Sequence, residues 1–384
     1  MGRCAHLLDG VKHVADVAVF YNAEGEWSGG NNQLFRHVCK ALTTQQIDFD
    51  IVHEDALATA EVKDGKLCIN GEAFGALIVS QSEILPMSCL QRFAVLAKKG
   101  LPVIFTESLP KRTSEGGAIE SLNRCFKTVP TNALAEHLRK RSLAQLCASG
   151  EDVRYLRFYH AENEKGDIYV FSNEAVYSDL HAEIALPQSG ECLVYDPWDN
   201  RLYRDEVRDG KLSLHLEKGN LLIYVFGTKI PSTTPYLTRE IERTALPLRF
   251  EVALMEEGSD SFAVIAEDSE LFDVTAFDRF PRFSGTVRYR TSFDSIDGFT
   301  VLDLGQVGEV AEVWLNGTSL GVRINAPYKF SLLSALRDGK NELEIRVVGN
   351  LAHRRNTDRF SRYVQVPPTG ILGEIALCRY GNND

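Results

Sequence analysis

Near Ala148-Ser149-Gly150 the hydrophobic rhythm of the chain changes, and this limits the folds open to it. Before that point, short apolar runs alternate with amphipathic ones. ADVAVFYN (15–22), DFDIVHEDAL (48–57), GALIVSQ (75–81) and LPVIFTES (101–108) read as strands. NNQLFRHVCKALTTQ (31–45) and LPMSCLQRFAVLAKKG (85–100) carry helical spacing, the second ended by Gly100 with Lys98 and Lys99 where the helix dipole favours cations. Parallel strands need crossovers, so this alternation predicts a doubly wound parallel sheet. EVKDGKLCING (61–71) predicts a small hairpin about Asp64-Gly65, and helical stretches fill the chain to about Leu146. The opening residues predict a short helix running directly into the first buried strand.

From Val153 onward the helical period is gone. VRYLRFYHAE, DIYVFSNEAV, HAEIALP, ECLVYDPWDN, RLYRDEV, KLSLHLEKG and NLLIYVFGT follow one another through turns such as Lys165-Gly166-Asp167 and Asp209-Gly210. Short strands at such spacing predict a β-sandwich. KIPSTTPYLTREIERT (229–244) is rich in Pro and Thr and reads as a connection. A second all-β region follows, with AEVWLNGTSLGVRINAPYKF (311–330) at its centre. Asn316-Gly317 between two strand-like runs is a strong hairpin signal, because a type I′ turn needs positive φ at both central residues. The boundaries expected are an α/β domain over 1–147, a β-sandwich over 148–230, a linker over 231–244 and a β-domain over 245–384, reasonable for 384 residues.

Charge and composition exclude some roles. A formal net charge of −11 argues against a nucleic-acid surface. No apolar run reaches the ~18 residues of a membrane span. Asp9, His13 and Asp16 interrupt the N-terminal apolar residues, so they do not read as a signal peptide. Eight cysteines are scattered without a C-x-x-C and apart from the nine histidines. They read as free thiols, with no metal and no cofactor expected, and lean toward a reducing compartment while leaving the location open.

FSGTVRYRTSF (283–293), LDLGQVGEVAEVWLNGTSLGVRINAPYKF (302–330), GKNELEIRVVGNLAHR (339–354) and VPPTGILGEIAL (366–377), in that order, resemble the galactose-binding-like jelly-roll of large glycoside hydrolases of the α-L-rhamnosidase-like and β-galactosidase-like kinds. RYLRFYHAENEKGDIYVFSNEA and YDPWDN are similar to the β-sandwich before that jelly-roll, and residues 1–147 resemble their glutamine-amidotransferase-like α/β domain. The opening stretch through Trp27 resembles the exit from a catalytic barrel. The resemblance implies the non-catalytic, C-terminal part of a bacterial-type hydrolase. The carboxylates would then lie on a barrel outside this sequence, and the α/β domain would serve oligomerisation rather than amide chemistry. The partners implied are a carbohydrate, the barrel of the same parent and a homo-oligomer.

Two kinds of chemistry are weighed against this. An amidotransferase needs a Cys on a glycine-flanked strand-to-helix elbow; after LPVIF stand Thr106, Glu107 and Ser108, and Cys89 falls within a helix pattern. Glycoside hydrolysis usually needs two carboxylates, and Glu24 and Glu26 in the loop YNAEGEWSGG (21–30) are a candidate pair at the end of the first strand, with Trp27 to stack on a sugar or an interface. A solvated acidic loop is the simpler reading. Sugar contact in the jelly-roll would draw on aromatic faces and polar rims. Trp27, Arg323, Asn325, Tyr328, His353, Arg354 and Asp358 are the ligand candidates, beside Trp314 and Asn350; alternation with Val313 and Leu315 leaves Trp314 open as core. Tyr195, Asp196, Trp198 and Asp199 form a Pro-fixed turn. The leading expectation is an accessory scaffold with possible sugar binding. A self-sufficient hydrolase using Glu24 or Glu26, and a stand-alone carbohydrate-binding module, are the alternatives.

Overall fold

The computed structural model describes residues 2–116, 119–144, 146–236, 239–355 and 366–381. It divides into two compact units, Met1–Pro235 and Tyr236–Asp384. The architecture is multidomain and β-rich. Among the described residues, no helix is long and apolar enough to cross a membrane.

The first unit contains a five-stranded parallel sheet. Its order is Lys127–Val129, Val103–Thr106, Leu77–Val79, Val17–Phe20, Phe49–Val52. Alternate side chains serve opposite faces, as the period of two demands. Ala18, Phe20, Leu77, Val79 and Phe105 pack with Leu90 and Phe93 of the helix Met87–Lys98. Val17, Val19, Ile78 and Ile104 pack with Val38 and Leu42 of the helix Phe35–Thr43 and with Leu134 and Leu138 of the helix Leu134–Arg139. The sheet is therefore wound on both faces. Phe93 lies 5.0 Å from Phe20, 6.2 Å from Phe105 and 6.5 Å from Phe126, ring to ring. Burial of such a ring contributes about 1.5–3 kcal/mol.

Three local expectations are corrected here. The opening helix, Gly2–Leu7, does not run directly into the first buried strand; the two-residue strand Lys12–His13 intervenes. Lys127–Val129 is a fifth parallel strand inside a stretch read as helical. Its three residues, KTV, are too short and polar to announce themselves. The loop carrying Glu24 and Glu26 holds a short helix, Ala23–Trp27. The Asp64-Gly65 hairpin is present, with φ of 51° and 75° at its turn.

Besides a small antiparallel sheet of Glu61–Lys63, Lys66–Ile69 and Glu72–Phe74, the first unit has two longer-stranded antiparallel sheets. One runs Lys12–His13, Leu156–Asn163, Gly166–Asn173, Leu221–Val225, Gly190–Asp196, Arg201–Val207; the other runs Cys147–Gly150, Leu180–Ala185, Lys211–Leu216. Leu180–Ala185 alternates buried and exposed at every residue, as a strand with one face in the core must.

The second unit has a six-stranded antiparallel sheet ordered Ala263–Ser269, Phe250–Glu256, Gly285–Asp294, Lys340–Val348, Val310–Leu315, Thr318–Arg323. A four-stranded sheet is ordered Arg239–Ala245, Ala376–Gly381, Val301–Asp303, Lys329–Ser331. Val287, Tyr289, Val313 and Ile345 from the first share one core with Leu302, Phe330 and Leu377 from the second. Residues 239–244, at the end of the stretch read as a linker, are thus part of a sheet. The Asn316-Gly317 turn has φ of 51° and 80°, as a type I′ hairpin requires. Asn316 also donates through Nδ2 to Ala335 O and Asn341 Oδ1, at 2.9 and 2.8 Å, and its Oδ1 accepts from Glu342 N at 2.9 Å.

Candidate functional site

Ligands of doubly wound folds bind beyond the C-terminal strand ends, where the strand order reverses. Here that point lies between Val17–Phe20 and Leu77–Val79. The chain's own side chains bridge it. Asn22 donates to Ser82 Oγ at 2.9 Å, and its Oδ1 accepts from Gly25 N at 3.0 Å, capping the helix Ala23–Trp27. Ser82 Oγ lies 2.6 Å from Asn32 Oδ1 and 2.6 Å from Ile84 O. Gly25 O accepts from Ser28 Oγ at 2.7 Å and from Asn32 Nδ2. Gly25 is buried at the centre, and a Cβ there would meet Asn22 Nδ2 at 1.8 Å. Glu24 is exposed, Glu26 half-buried and Trp27 81% exposed. The two glutamates flank Gly25 on one short helix, and among the described residues neither side chain joins this polar network.

The expected elbow exists in backbone only. Glu107 follows the strand Val103–Thr106 with φ of 54°, in the left-handed region. Its side chain is exposed, and its Oε1 accepts from Thr131 N at 2.8 Å. That bond holds its carboxyl below the usual range. Thr106 Oγ1 is buried, donating to Gln33 Oε1 at 2.6 Å and accepting from Gln81 N at 2.8 Å. The residue that could present a nucleophile instead fastens the next turn of chain. Cys89 is buried in the helix Met87–Lys98, and burial pushes its thiol up to about 12. A thiol so placed is inert.

In the second unit the ligand candidates do not converge. Tyr328 is buried and donates its hydroxyl to Glu309 O, so it offers no face to a sugar. Arg323 is also buried; its Nε donates to Lys329 O at 3.1 Å and its guanidinium stands over Phe330. Asn325 is exposed. His353 Nε2 lies 2.8 Å from Pro367 O, and Arg354 pairs with Glu257 at 3.2 Å. Asp358 lies outside the described residues. Trp314 is half-buried on the face opposite Val313 and Leu315, with the Arg346 guanidinium 4.5 Å from its ring centre. It belongs to the outer surface of the sheet, not to the core.

One cluster was not foreseen. His13, Asp48, Asp50 and Glu72 come together in the first unit: His13 Nε2 is 2.8 Å from Asp48 Oδ2, and its Nδ1 is 3.2 Å from Asp50 Oδ2. One donor atom each from His13, Asp50 and Glu72 lie within 4.8 Å of one another. Both imidazole nitrogens face carboxylates, so the ring is an imidazolium with no lone pair to give a cation. The D-F-D spacing, which puts Asp48 and Asp50 on one side of an extended chain, was the available signal.

No family model matches the chain. The structure aligns with a rhamnosidase from Novosphingobium sp. PP1Y at a TM-score of 0.70 over 98% of this chain, with 19% identity, and the chain spans 40% of that enzyme. A putative beta-glucuronidase of Formosa agariphila is 35% identical over 71 residues, which are 17% of this chain and 6% of that protein. A GH2 beta-galacturonidase from Eisenbergiella tayi, bound to galacturonate, aligns over 38% of this chain and 26% of its own at 20% identity and a TM-score of 0.27. The expected resemblance to a portion of a glycoside hydrolase is borne out, and at the level of fold it rests on the rhamnosidase.

Proposed function

We propose that this chain is a non-catalytic, accessory portion of a glycoside hydrolase acting on glycans. The observation that carries the reading is the alignment of nearly the whole chain with less than half of a rhamnosidase. The site geometry supports it. The crevice where a doubly wound fold takes a ligand is bridged by Asn22, Ser82 and Asn32, and the elbow residue Glu107 is spent on Thr131. On this reading residues 1–147 are an amidotransferase-like scaffold that holds subunits or domains together, 148–230 a β-sandwich and 245–384 a galactose-binding-like jelly-roll. The parent reaction would be hydrolysis of a terminal glycosidic bond by a barrel that this chain supports.

The test is a panel of aryl glycosides, including α-L-rhamnoside and β-galactoside, with the purified chain beside a heat-denatured control. No turnover from a folded sample is expected. Turnover lost in Glu26→Gln or Glu24→Gln would replace this reading with the self-sufficient hydrolase. One feature favours a contact role for the opening turn: Trp27 is 81% exposed beside a rigid hydrogen-bonded turn. An aromatic held out from a fixed backbone suits a partner or a sugar face, since little order is lost on contact.

A further inference from the structure

The strand Lys12–His13 pairs antiparallel with Leu156–Asn163, with Lys12 opposite Glu162 and His13 opposite Ala161. It is the outer strand of the six-stranded sheet. A few residues on, the chain enters Val17–Phe20 of the parallel sheet. His13 stands at this crossing. Its ring stacks on Tyr159 of the antiparallel sheet at 4.5 Å, while its two nitrogens face Asp48 and Asp50 beside and within the edge strand Phe49–Val52 of the parallel sheet. One imidazole thus touches both sheets. Glu72 opens the strand Glu72–Phe74, and a carboxyl oxygen of Glu72 lies within 4.8 Å of one of Asp50. Two carboxylates held this close repel, and the repulsion is relieved when one of them holds a proton.

The other charged and titratable groups facing the cluster are Lys12, ion-paired to Glu162 at 2.9 Å and near Glu72, and the hydroxyl of Tyr159. Three carboxyls therefore meet one imidazolium and one committed ammonium. We propose that this cluster is a proton-controlled joint. With a proton held between Asp50 and Glu72 it clamps the edge of the parallel sheet to the outer strand of the antiparallel sheet, and loss of that proton loosens the clamp.

Burial and the Asp50 carboxylate push Glu72 up to about 7. The hydrogen bond from His13 holds Asp50 down, against its burial. Burial works against the His13 imidazolium, but Asp48 and Asp50 override it and raise it to about 10. For Glu72 the folded value lies above the unfolded one. Its contribution is full below about 4.5 and is lost as pH rises through about 7. For His13 the contribution is full below about 6.5 and is lost toward about 10. For Asp50 it is lost as pH falls. The joint is tightest in mild acid and loosens through neutrality.

The test is a carbon-detected carboxyl titration of the intact chain from pH 4 to 9, beside Asp50→Asn and Glu72→Gln. Amide exchange of residues 12–13 and 49–52 is followed in the same samples. Glu72 is expected to titrate near 7 in the native chain and to fall back toward its ordinary range in Asp50→Asn. Exchange at 49–52 is expected to rise between about pH 4.5 and 6.5, where the His13 contribution is still nearly full, beyond what base catalysis of exchange gives, by tens of fold and at most about 300-fold for such a shift. Glu72→Gln keeps the shape and can donate to Asp50, so it folds and abolishes the excess. Glu72 titrating in its ordinary range in the native chain, or an excess below pH 6.5 that survives Glu72→Gln, would overturn the proposal.

Discussion

Adding one methyl group at Gly25 tests whether the strand-end network is a structural plug. The Cβ of Gly25→Ala would stand 1.8 Å from Asn22 Nδ2, 2.6 Å from Asn22 Cγ and 2.7 Å from Ser82 Oγ. No rotation of the methyl relieves that, so the Asn22 side chain must leave. Two bonds go with it: Asn22 to Ser82, and the cap from Gly25 N to Asn22 Oδ1. Overpacking a tight site costs about 1–3 kcal/mol. Losing a cap costs about 1 kcal/mol. Ser82 Oγ must also shift from the new Cβ, but Asn32 Oδ1 and Ile84 O remain as acceptors for its one proton, so no larger desolvation penalty is added. The sum is about 2–4 kcal/mol. At about 2–4 °C per kcal/mol for a unit of this size, the melting temperature of the first unit should fall by roughly 4–16 °C. Calorimetry, with intrinsic fluorescence of the adjacent Trp27, would read it. The same substitution in an Asn22→Ala background should cost about 1 kcal/mol or more less, because the main clash is already gone. Equal costs in the two backgrounds, or an unchanged native melting point, would show that the turn is loosely held and that the crevice is free to open.

Three further outcomes follow from the geometry. Glu107→Ala should cost about 0.5–1 kcal/mol, the low end for a cap because the carboxylate is exposed, whereas Glu107→Gly should cost less, since glycine accepts the φ of 54° that alanine resists. In urea melts the native contribution of Glu107, whose folded value is depressed, is present above its unfolded range and fades as pH falls through the folded value; a contribution growing in acid would contradict the bond to Thr131. Asn316→Ala removes three hydrogen bonds and a residue suited to φ of 51°, so it should destabilise the second unit by about 2–4 kcal/mol, read as its own unfolding transition. Trp27→Ala should leave the stability within about 0.5 kcal/mol of the native chain, and light scattering should show a smaller assembly if Trp27 is an oligomer contact; an unchanged assembly and unchanged glycan binding would remove Trp27 from the candidates.

What the sequence made legible was what repeats or what needs special backbone. The period of two in LHAEIA, the helical spacing in the segment around Phe93, and positive φ at Asp64-Gly65 and Asn316-Gly317 are local properties, and the structure carries each of them. What it hid depends on which distant residues meet. Lys127–Val129 is a strand only because Val103–Thr106 lies beside it. Trp314 could be core or surface until the register of Val310–Leu315 is known; Val313 and Leu315 then take the core and Trp314 the outer face beneath Arg346. The same reasoning separates the candidate sites. Glu24 and Glu26 attracted attention because two carboxylates, a tryptophan and glycines stand together in sequence, yet the glycine that matters, Gly25, lets the turn close on Asn22 and Ser82. His13, Asp48, Asp50 and Glu72 attracted none, being spread over sixty residues, and only the crossing from one sheet to the other puts the His13 ring against Asp48 and Asp50 with Glu72 close by. In the first unit Asn22, Ser82 and Asn32 close the glycine loop on itself, and His13 with Asp48 and Asp50 ties the outer strand of one sheet to the edge of the next, so both sets of polar groups act by holding neighbouring elements together.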